Sequence, residues 1–194
     1  MGMTYLVAGM AIFFGVHSTA IVAPAWRDQM AARLGANGWK AVYGIASIVG
    51  FVLMVKGYAM ARAEPVPLYF PPTWLRHIAA LLMLPVFPLL LATYLPGRIK
   101  SGVGHPMLTA TKLWATAHLL ANGMLADVLL FGGFLAWAVA DRISLKRRPS
   151  RPVKALPEGR FNDLIAVVAG FAIYVWFVAR GHLYLFGVSP MGGG

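Results

Sequence analysis

Residues 112–140, KLWATAHLLANGMLADVLLFGGFLAWAVA, form the longest apolar run in this chain. A helix needs roughly 20 apolar residues to cross the hydrocarbon core of a bilayer, so this run predicts a membrane-spanning helix. Four further runs are long enough as well: residues 6–25, 39–61, 74–95 and 164–186. The linkers between them are short, and no separate soluble segment is evident. We therefore predict an all-α polytopic membrane helix bundle with about five transmembrane helices, forming a single domain over residues 1–194.

The composition agrees with a membrane protein. Hydrophobic residues make up 59% of the chain and charged residues 12%, and the mean hydropathy is +0.70. These values lie well beyond those of a soluble domain. The net charge of +11 is explained by membrane topology, so we expect the lipid bilayer as a partner and no nucleic acid.

A basic stretch between the last two predicted spans sets the expected orientation. Positively charged loops are retained in the cytoplasm, so alternation places the amino terminus inside and the carboxyl terminus outside. The basic residues are Arg142, Lys146, Arg147, Arg148, Arg151, Lys154 and Arg160.

Three of the five histidines fall within predicted spans: His17, His118 and His182. Because a buried imidazole in hydrocarbon must find a partner, these residues are candidate site residues. Alternating chain direction predicts that all three lie at the membrane face opposite the basic stretch, together with His105. His77, at the start of the third span, is expected at the other face as an interfacial anchor.

The fourth predicted span carries further polar residues. In a continuous helix, steps of three, four and seven residues return to one side, so Trp114, His118, Asn122 and Leu125 would share a face. We expect Trp114 and Asn122 to line a cavity there. Asp127 lies about half a revolution from His118, and for it we predict a structural interhelical hydrogen bond or a protonated carboxyl, with a proton relay as the alternative.

The chain contains no cysteine. A disulfide, a thiolate ligand and an iron–sulfur cluster are therefore excluded. Any metal would be held by imidazole, by carboxylate or within a cofactor. Glycine-rich phosphate loops and the sequence signatures of serine hydrolases and zinc proteases are also missing.

Six motifs follow one another in order along most of the chain. They are Gly15-Val16-His17-Ser18, Pro71 to His77, Pro96-Gly97-Arg98-Ile99-Lys100, His105 to Gly123, Phe134-Leu135-Ala136-Trp137-Ala138 and Asp141-Arg142. In this order they resemble the motifs of the NnrU family of bacterial membrane proteins, whose plant and cyanobacterial relatives include the 15-cis-zeta-carotene isomerases. The resemblance implies a location in a bacterial inner membrane.

This resemblance implies a haem b whose iron is bound by one histidine of the first helix and one of the Trp-x-x-Ala-His helix. Those positions are His17 and His118, with His182 and His105 as secondary candidates; the residues by themselves leave open whether His17 or His182 pairs with His118. The resemblance also implies a link to nitrogen-oxide or denitrification metabolism. The isomerase branch has a cysteine where this chain has Ala115, which argues against carotene isomerisation.

Other functions stay open from sequence. One alternative is a membrane cis-trans isomerase of a carotenoid-like polyene. Another is a small-molecule membrane methyltransferase, since His105-Pro106 before a membrane helix also occurs in such enzymes, and a third is a non-enzymatic assembly factor or transporter. Whether the protein is an enzyme is left open, and the candidate ligand is a small apolar or nitrogen-oxide molecule.

Overall fold

The structure is a computed structural model that describes residues 1–148 and 153–191. In these residues the regular structure is helical apart from an isolated β-bridge between Pro67 and Met124, which confirms the all-α class. Arg151 of the basic stretch lies outside the described residues. The helices are α1 (Gly2–Val22), α2 (Pro24–Ala63), α3 (Leu75–Met83), α4 (Val86–Tyr94), α5 (Arg98–Val103), α6 (Pro106–Ala121), α7 (Leu125–Ser144), α8 (Asn162–Trp176) and α9 (His182–Phe186), with a π-helical turn at Phe177–Gly181.

Four helical stretches of the described chain are long and apolar enough to cross a membrane. They are Gly2–Val22, Pro24–Ala63, Leu75–Tyr94 and Asn162–Phe186. They coincide with four of the predicted spans and support the membrane helix bundle. Within Pro24–Ala63, Gly35 has φ 72° and leaves helical geometry, so the predicted span 39–61 is the part of α2 after this kink.

Large apolar side chains cover the outer surfaces of these helices. Ile45 and Ile48 of α2 are each 64% exposed, and Leu164 and Val168 of α8 are each 59% exposed. Contiguous apolar surface of this kind is unusual on a protein surrounded by water. It is the surface expected of helices that contact lipid.

The run over 112–140 differs from the predicted single span, because α6 ends at Ala121 and α7 begins at Leu125. At the end of α6, the Asn122 side-chain amide and its backbone N–H both donate to the carbonyl of His118, each at 2.9 Å. Asn122 itself adopts an extended backbone conformation. Asparagine competes with helix continuation through such local hydrogen bonds, which explains the end of α6 at this residue.

The start of α7 is held by its own set of hydrogen bonds. The Asp127 carboxylate accepts the backbone N–H of Met124 at 3.1 Å, the bond that an acidic residue makes at the third position of a capping box. The backbone N–H of Leu125 donates to the carbonyl of Val66 at 2.8 Å. Because hydrocarbon offers no water to unpaired backbone groups, these partners permit a helix to begin here.

The described chain divides into two compact units. The first contains residues 1–69 and 124–144, and therefore α1, α2 and α7. The second contains residues 70–123 and the described part of 145–194, and therefore α3 to α6, α8 and α9. Each unit is described by itself below.

In the first unit, α1 and α2 run antiparallel with their backbones in contact. A Cβ atom on Gly9 would overlap the backbone of Met54, and one on Gly57 would overlap the backbone of Leu6. Leu6 is 0% exposed and Met54 is 2% exposed. Helices in lipid gain little from the hydrophobic effect, so this close packing between small residues is what holds the pair together.

Helix α7 runs antiparallel to α2 and parallel to α1. Near its start Asp127 contacts Tyr58, late in α2, and near its end Trp137 contacts His17, late in α1. His17 therefore lies at the end of the first unit from which the basic stretch departs at Arg142.

This direction corrects the predicted topology, in which His17 and the basic stretch lay at opposite membrane faces. The prediction counted 112–140 as one crossing and extended the direction of α6 through α7. The break at residues 122–124 removes the basis for that count. Because α1 and α7 are parallel, the amino terminus and Arg142 lie at opposite ends of the first unit. They cannot both be in the cytoplasm, as the sequence predicted.

In the second unit, α6 runs antiparallel to α3 and α4. It begins beside α4, where Ala110 packs against Val86 and Leu89, and continues along α3. Helix α8 also runs antiparallel to α3 and α4, because Gly170 packs against Pro88 and the Tyr174 hydroxyl donates to the carbonyl of Ala80 at 3.0 Å. Helices α6 and α8 are therefore parallel.

A carboxylate ties the start of α8 to the start of α5. Asp163 accepts the backbone N–H groups of Arg98 and Ile99 at 2.8 and 3.1 Å. A Cβ atom on Gly97 would overlap this carboxylate, so a larger residue there would displace it. The contact gives the Pro96–Lys100 motif a structural role in the second unit.

These directions also correct the predicted positions of two histidines. His118 near the end of α6, His182 beyond α8 and His77 at the start of α3 lie toward one end of the second unit, and His105 before α6 lies toward the other. The prediction had placed His105 with His118 and His182, and His77 apart from them. It was wrong because α6 begins directly after His105 and carries His118 almost to its last turn.

The α1–α2 contact predicts the effect of substitutions in α2. Gly57→Leu should prevent the backbones from approaching and lower the thermal unfolding temperature of the detergent-solubilised protein by several degrees or abolish folding, since overpacking a core costs about 1–3 kcal/mol or more. Gly44→Ala in the same helix, where a Cβ atom would meet nothing within 4 Å, should be neutral or slightly stabilising. Equal destabilisation by the two changes would contradict the close packing.

Candidate functional site

His17 is a half-buried residue in the last third of α1. Its Nδ1 atom lies 2.7 Å from the carbonyl oxygen of Phe13. Because a carbonyl only accepts hydrogen bonds, Nδ1 carries the ring proton and the lone pair lies on Nε2. The ring also stacks on Phe13, with centroids 4.0 Å apart. The imidazole is therefore oriented with its basic nitrogen pointing away from its own helix backbone.

Aromatic side chains from all three helices of the first unit surround His17. Tyr43 of α2 lies 5.1 Å from the imidazole centroid, and Trp137 of α7 lies 5.8 Å from it with the two rings perpendicular. Phe14 contacts both Phe134 and Trp137. We call this group of six residues the His17 cluster: Phe13, Phe14, His17, Tyr43, Phe134 and Trp137.

One member of the His17 cluster carries an unsatisfied polar atom. Within residues 1–148 and 153–191, Nε1 of Trp137 is buried and has no hydrogen-bond partner. Leaving such a donor unpaired costs about 1–3 kcal/mol, and buried indole N–H groups usually have a partner. An acceptor supplied by a bound molecule would remove this cost.

His118 has the same internal arrangement in the second unit. Its Nδ1 atom lies 2.8 Å from the carbonyl oxygen of Trp114, so Nδ1 is protonated and Nε2 has the lone pair. The indole of Trp114 lies 5.2 Å from the imidazole, and Asn122 is bonded to the His118 carbonyl. Trp114 and Asn122 therefore both contact His118, whereas Leu125 belongs to α7 because α6 ends at Ala121. The cavity lined by Trp114 and Asn122 stays a prediction.

His182 follows the π-helical turn of the second unit. Its Nδ1 atom lies 2.7 Å from the carbonyl oxygen of Val188, and its ring contacts Phe177 and Phe186 at centroid distances of 5.7 and 5.1 Å. Irregular π-helical turns are often found at functional sites. Nδ1 is protonated here as well, which keeps His182 among the candidate ligands.

The two remaining histidines have other positions. His105 immediately precedes α6, and its carbonyl accepts the backbone N–H of Thr109 at 3.1 Å without a side-chain cap. His77 in α3 is exposed, in keeping with an interfacial anchor. In the part of the chain that the structure describes, no three histidine, aspartate or glutamate side chains form a group able to hold a metal ion. Haem iron, with four ligands from its porphyrin, needs at most two imidazoles.

Asp127 makes the interhelical hydrogen bond predicted for it. It is 5% exposed, and the hydroxyl of Tyr58 in α2 donates to it at 2.5 Å. The sequence predicted that Asp127 and His118 lie half a revolution apart on one helix. That relation does not apply, because His118 is in α6 and Asp127 is in α7. Tyr58 was missed from sequence because a single tyrosine in an apolar run resembles ordinary packing.

The second unit also has an open apolar groove of about 440 Å³. None of the five histidines lines it, and its lining offers no catalytic group. The groove can make only van der Waals contacts, as with an acyl chain. It is lined by Leu84, Pro85, Pro88, Leu89, Ile99, Val167 and Phe171.

Comparison with known protein families identifies the family of this chain. The family described as NnrU protein matches residues 5–190, nearly the whole chain. No curated protein and no solved structure matches.

The contacts of Asp127 predict a graded series of variants. Asp127→Leu should be strongly destabilising in thermal unfolding, because Tyr58 and the N–H of Met124 each lose an acceptor at about 1–3 kcal/mol per unpaired group. Asp127→Asn keeps one acceptor oxygen and should cost less, without loss of any bound cofactor. Asp28→Asn, at an exposed ion pair, is the control and should be near neutral. A fully stable but inactive Asp127→Asn protein would favour the proton relay instead.

Proposed function

This chain belongs to the NnrU family, and we propose that it is an integral membrane protein that binds haem b, with His118 as one ligand of the iron and either His17 or His182 as the other. The assignment of His17 and His118 rests on the family motifs that contain them. The proposed setting is a bacterial inner membrane, and the proposed role is in nitrogen-oxide or denitrification metabolism, again from the family resemblance.

The tautomers of the two histidines support this proposal more than any other observation. Histidines that bind metals almost always donate their second ring N–H to a backbone carbonyl or a carboxylate, which fixes the ring and makes the other nitrogen more basic. The Nδ1 atoms of His17 and His118 donate to the carbonyls of Phe13 and Trp114. Nε2 is then the nitrogen suited to iron in both residues.

The chemistry of the residues around His17 also supports a large flat cofactor. Haem presents an apolar macrocycle, and the His17 cluster offers aromatic side chains from α1, α2 and α7. Haem also carries two carboxylates, and the N–H of Trp137 has no acceptor within residues 1–148 and 153–191.

When bound, haem b supplies one-electron chemistry at a potential set by its axial ligands and their hydrogen bonds. The protein residues hold the imidazoles in one orientation. Phe13 stacks on His17 and Trp114 contacts His118. The helical carbonyls of Phe13 and Trp114 hold the Nδ1 side of each ring, so Nε2 is the atom of each imidazole that would bind iron.

A second ligand pair is His118 with His182. Both residues lie toward the same end of the second unit, and His182 also has a protonated Nδ1 atom. In this pair His118 still binds the haem iron, and His182 replaces His17 as the second ligand.

The proposed orientation has the basic stretch in the cytoplasm. In the first unit, His17 and Arg142 then lie toward the cytoplasmic face, and the amino terminus lies outside because α1 ends where α7 ends. The carboxyl terminus also lies outside, since one candidate span, Asn162–Phe186, follows the basic stretch. The end of the second unit that holds His118 and His182 then faces outward, whereas His17 faces the cytoplasm. This orientation therefore favours the pair of His118 with His182, and the experiments below decide between the two pairs.

Alanine substitutions test the ligand assignment. Protein purified with haem supplied during expression should show a Soret band with the low-spin spectrum of a bis-imidazole site, and His17→Ala and His118→Ala should each lose most of the haem. His182→Ala should retain it, and His77→Ala, at an exposed position, is the matched control. Absence of a Soret band from the wild-type protein would refute the haem function. Loss in His182→Ala with retention in His17→Ala would select the second pair.

Reporter fusions test the orientation. A reporter at the amino terminus and one after Phe186 should both be active outside the cytoplasm, and one near Lys154 should be active inside. The measurement is the activity of compartment-specific reporters in intact cells. A cytoplasmic amino terminus together with a cytoplasmic Lys154 fusion would contradict the parallel arrangement of α1 and α7.

A further inference from the structure

The indole N–H of Trp137 is positioned to contact a ligand bound at the His17 cluster. Trp137 lies on α7, two turns before the end of the helix, and its ring stands perpendicular to that of His17 at 5.8 Å. Phe14 lies against the indole at 6.4 Å in a stacked arrangement. The ring is thus held in place by its neighbours while its N–H has no acceptor in the described chain.

The polar groups beside Trp137 supply no acceptor for its N–H in the described residues. The ring N–H of His17 is donated to Phe13, and Tyr43 lies 5.1 Å from the imidazole centroid. Asp141 and Arg27 both interact electrostatically with Tyr43, Asp141 more strongly, and Arg27 already pairs with Asp28. These charges do not select an anion, so the kind of acceptor is inferred from the unpaired N–H and from the groups that haem carries.

We propose that Trp137 donates its indole N–H to a carboxylate of the cofactor bound by His17, which makes it a positioning residue for a haem propionate. The inference rests on the proposed haem function and on His17 as a ligand of the iron. A carboxylate is the acceptor that haem itself brings, and charged acceptors make the stronger hydrogen bonds. Trp137 and His17 then hold the cofactor from two helices of one unit, the first through an oxygen and the second through iron.

The alternative source of an oxygen acceptor is a lipid headgroup. A lipid headgroup would accept the N–H of Trp137 whether or not haem is bound. In that case Trp137→Phe would change the affinities for haem b and for haem with blocked carboxylates by the same factor. The two sources therefore predict different results in one binding experiment.

The experiment compares haem b with its dimethyl ester, in which both carboxylates are blocked. Affinities for the two are measured by Soret titration of apoprotein for the wild type, Trp137→Phe and Trp26→Phe. Trp26 is a 49% exposed residue of the same unit and serves as the control. Wild type and Trp26→Phe should prefer haem b over its ester, and Trp137→Phe should bind haem b roughly tenfold more weakly, the effect of one hydrogen bond to a charged group.

The decisive quantity is the ratio of the affinities for haem b and for the ester, since groups that contact each other show non-additive effects. Trp137→Phe should lower this ratio roughly tenfold relative to the wild type. An unchanged preference in Trp137→Phe, in protein that binds haem, overturns the role of Trp137 and leaves the haem function standing. Failure of the wild type to bind either compound overturns both.

A second measurement covers the case in which Trp137→Phe does not fold. The ultraviolet resonance Raman band that reports indole N–H hydrogen bonding should shift when wild-type apoprotein takes up haem b, and shift less with the ester. No shift with haem b refutes the proposal, as does an equal shift with both compounds.

Discussion

The pairing of polar groups around Asp127 is the interaction on which the arrangement of the first unit depends. A helix that begins inside an apolar region exposes backbone N–H groups, and hydrocarbon provides no partner for them. Asp127 accepts the N–H of Met124 and the hydroxyl of Tyr58. One carboxylate therefore permits α7 to start and ties that start to α2.

The direction of α7 follows from this connection. With its start held beside the end of α2, α7 runs along α1 in parallel and brings Trp137 to His17. The close contact of α1 and α2 through Gly9 and Gly57 brings Tyr43 to within 5.1 Å of the same imidazole. The His17 cluster is thus a consequence of helix packing and of one capping carboxylate, and no single segment of the sequence encodes it.

The histidines show which features of the candidate site are set within one helix and which depend on tertiary packing. The tautomers of His17 and His118 depend only on a carbonyl one helical turn earlier, at Phe13 and Trp114, so each is fixed within its own helix. The same spacing of four residues brings Trp114 and Asn122 into contact with His118. The partners that matter for ligand binding, such as Tyr43 and Trp137, come from other helices and depend on tertiary packing.

The sequence by itself determined the all-α membrane class, four of the spans and the membership of the NnrU family, because apolar length and motif order are properties of contiguous residues. It also indicated the interhelical bond of Asp127, since a lone carboxylate in hydrocarbon needs a partner. Only the tertiary structure decided that 112–140 is two helices, that α7 is parallel to α1, and that His105 and His118 lie at opposite ends of the second unit. Apolar runs carry no signal for a break whose backbone groups are paired by distant residues. The direction of a helix after such a break is set by the packing of Tyr58, Val66 and the glycines of α1 and α2.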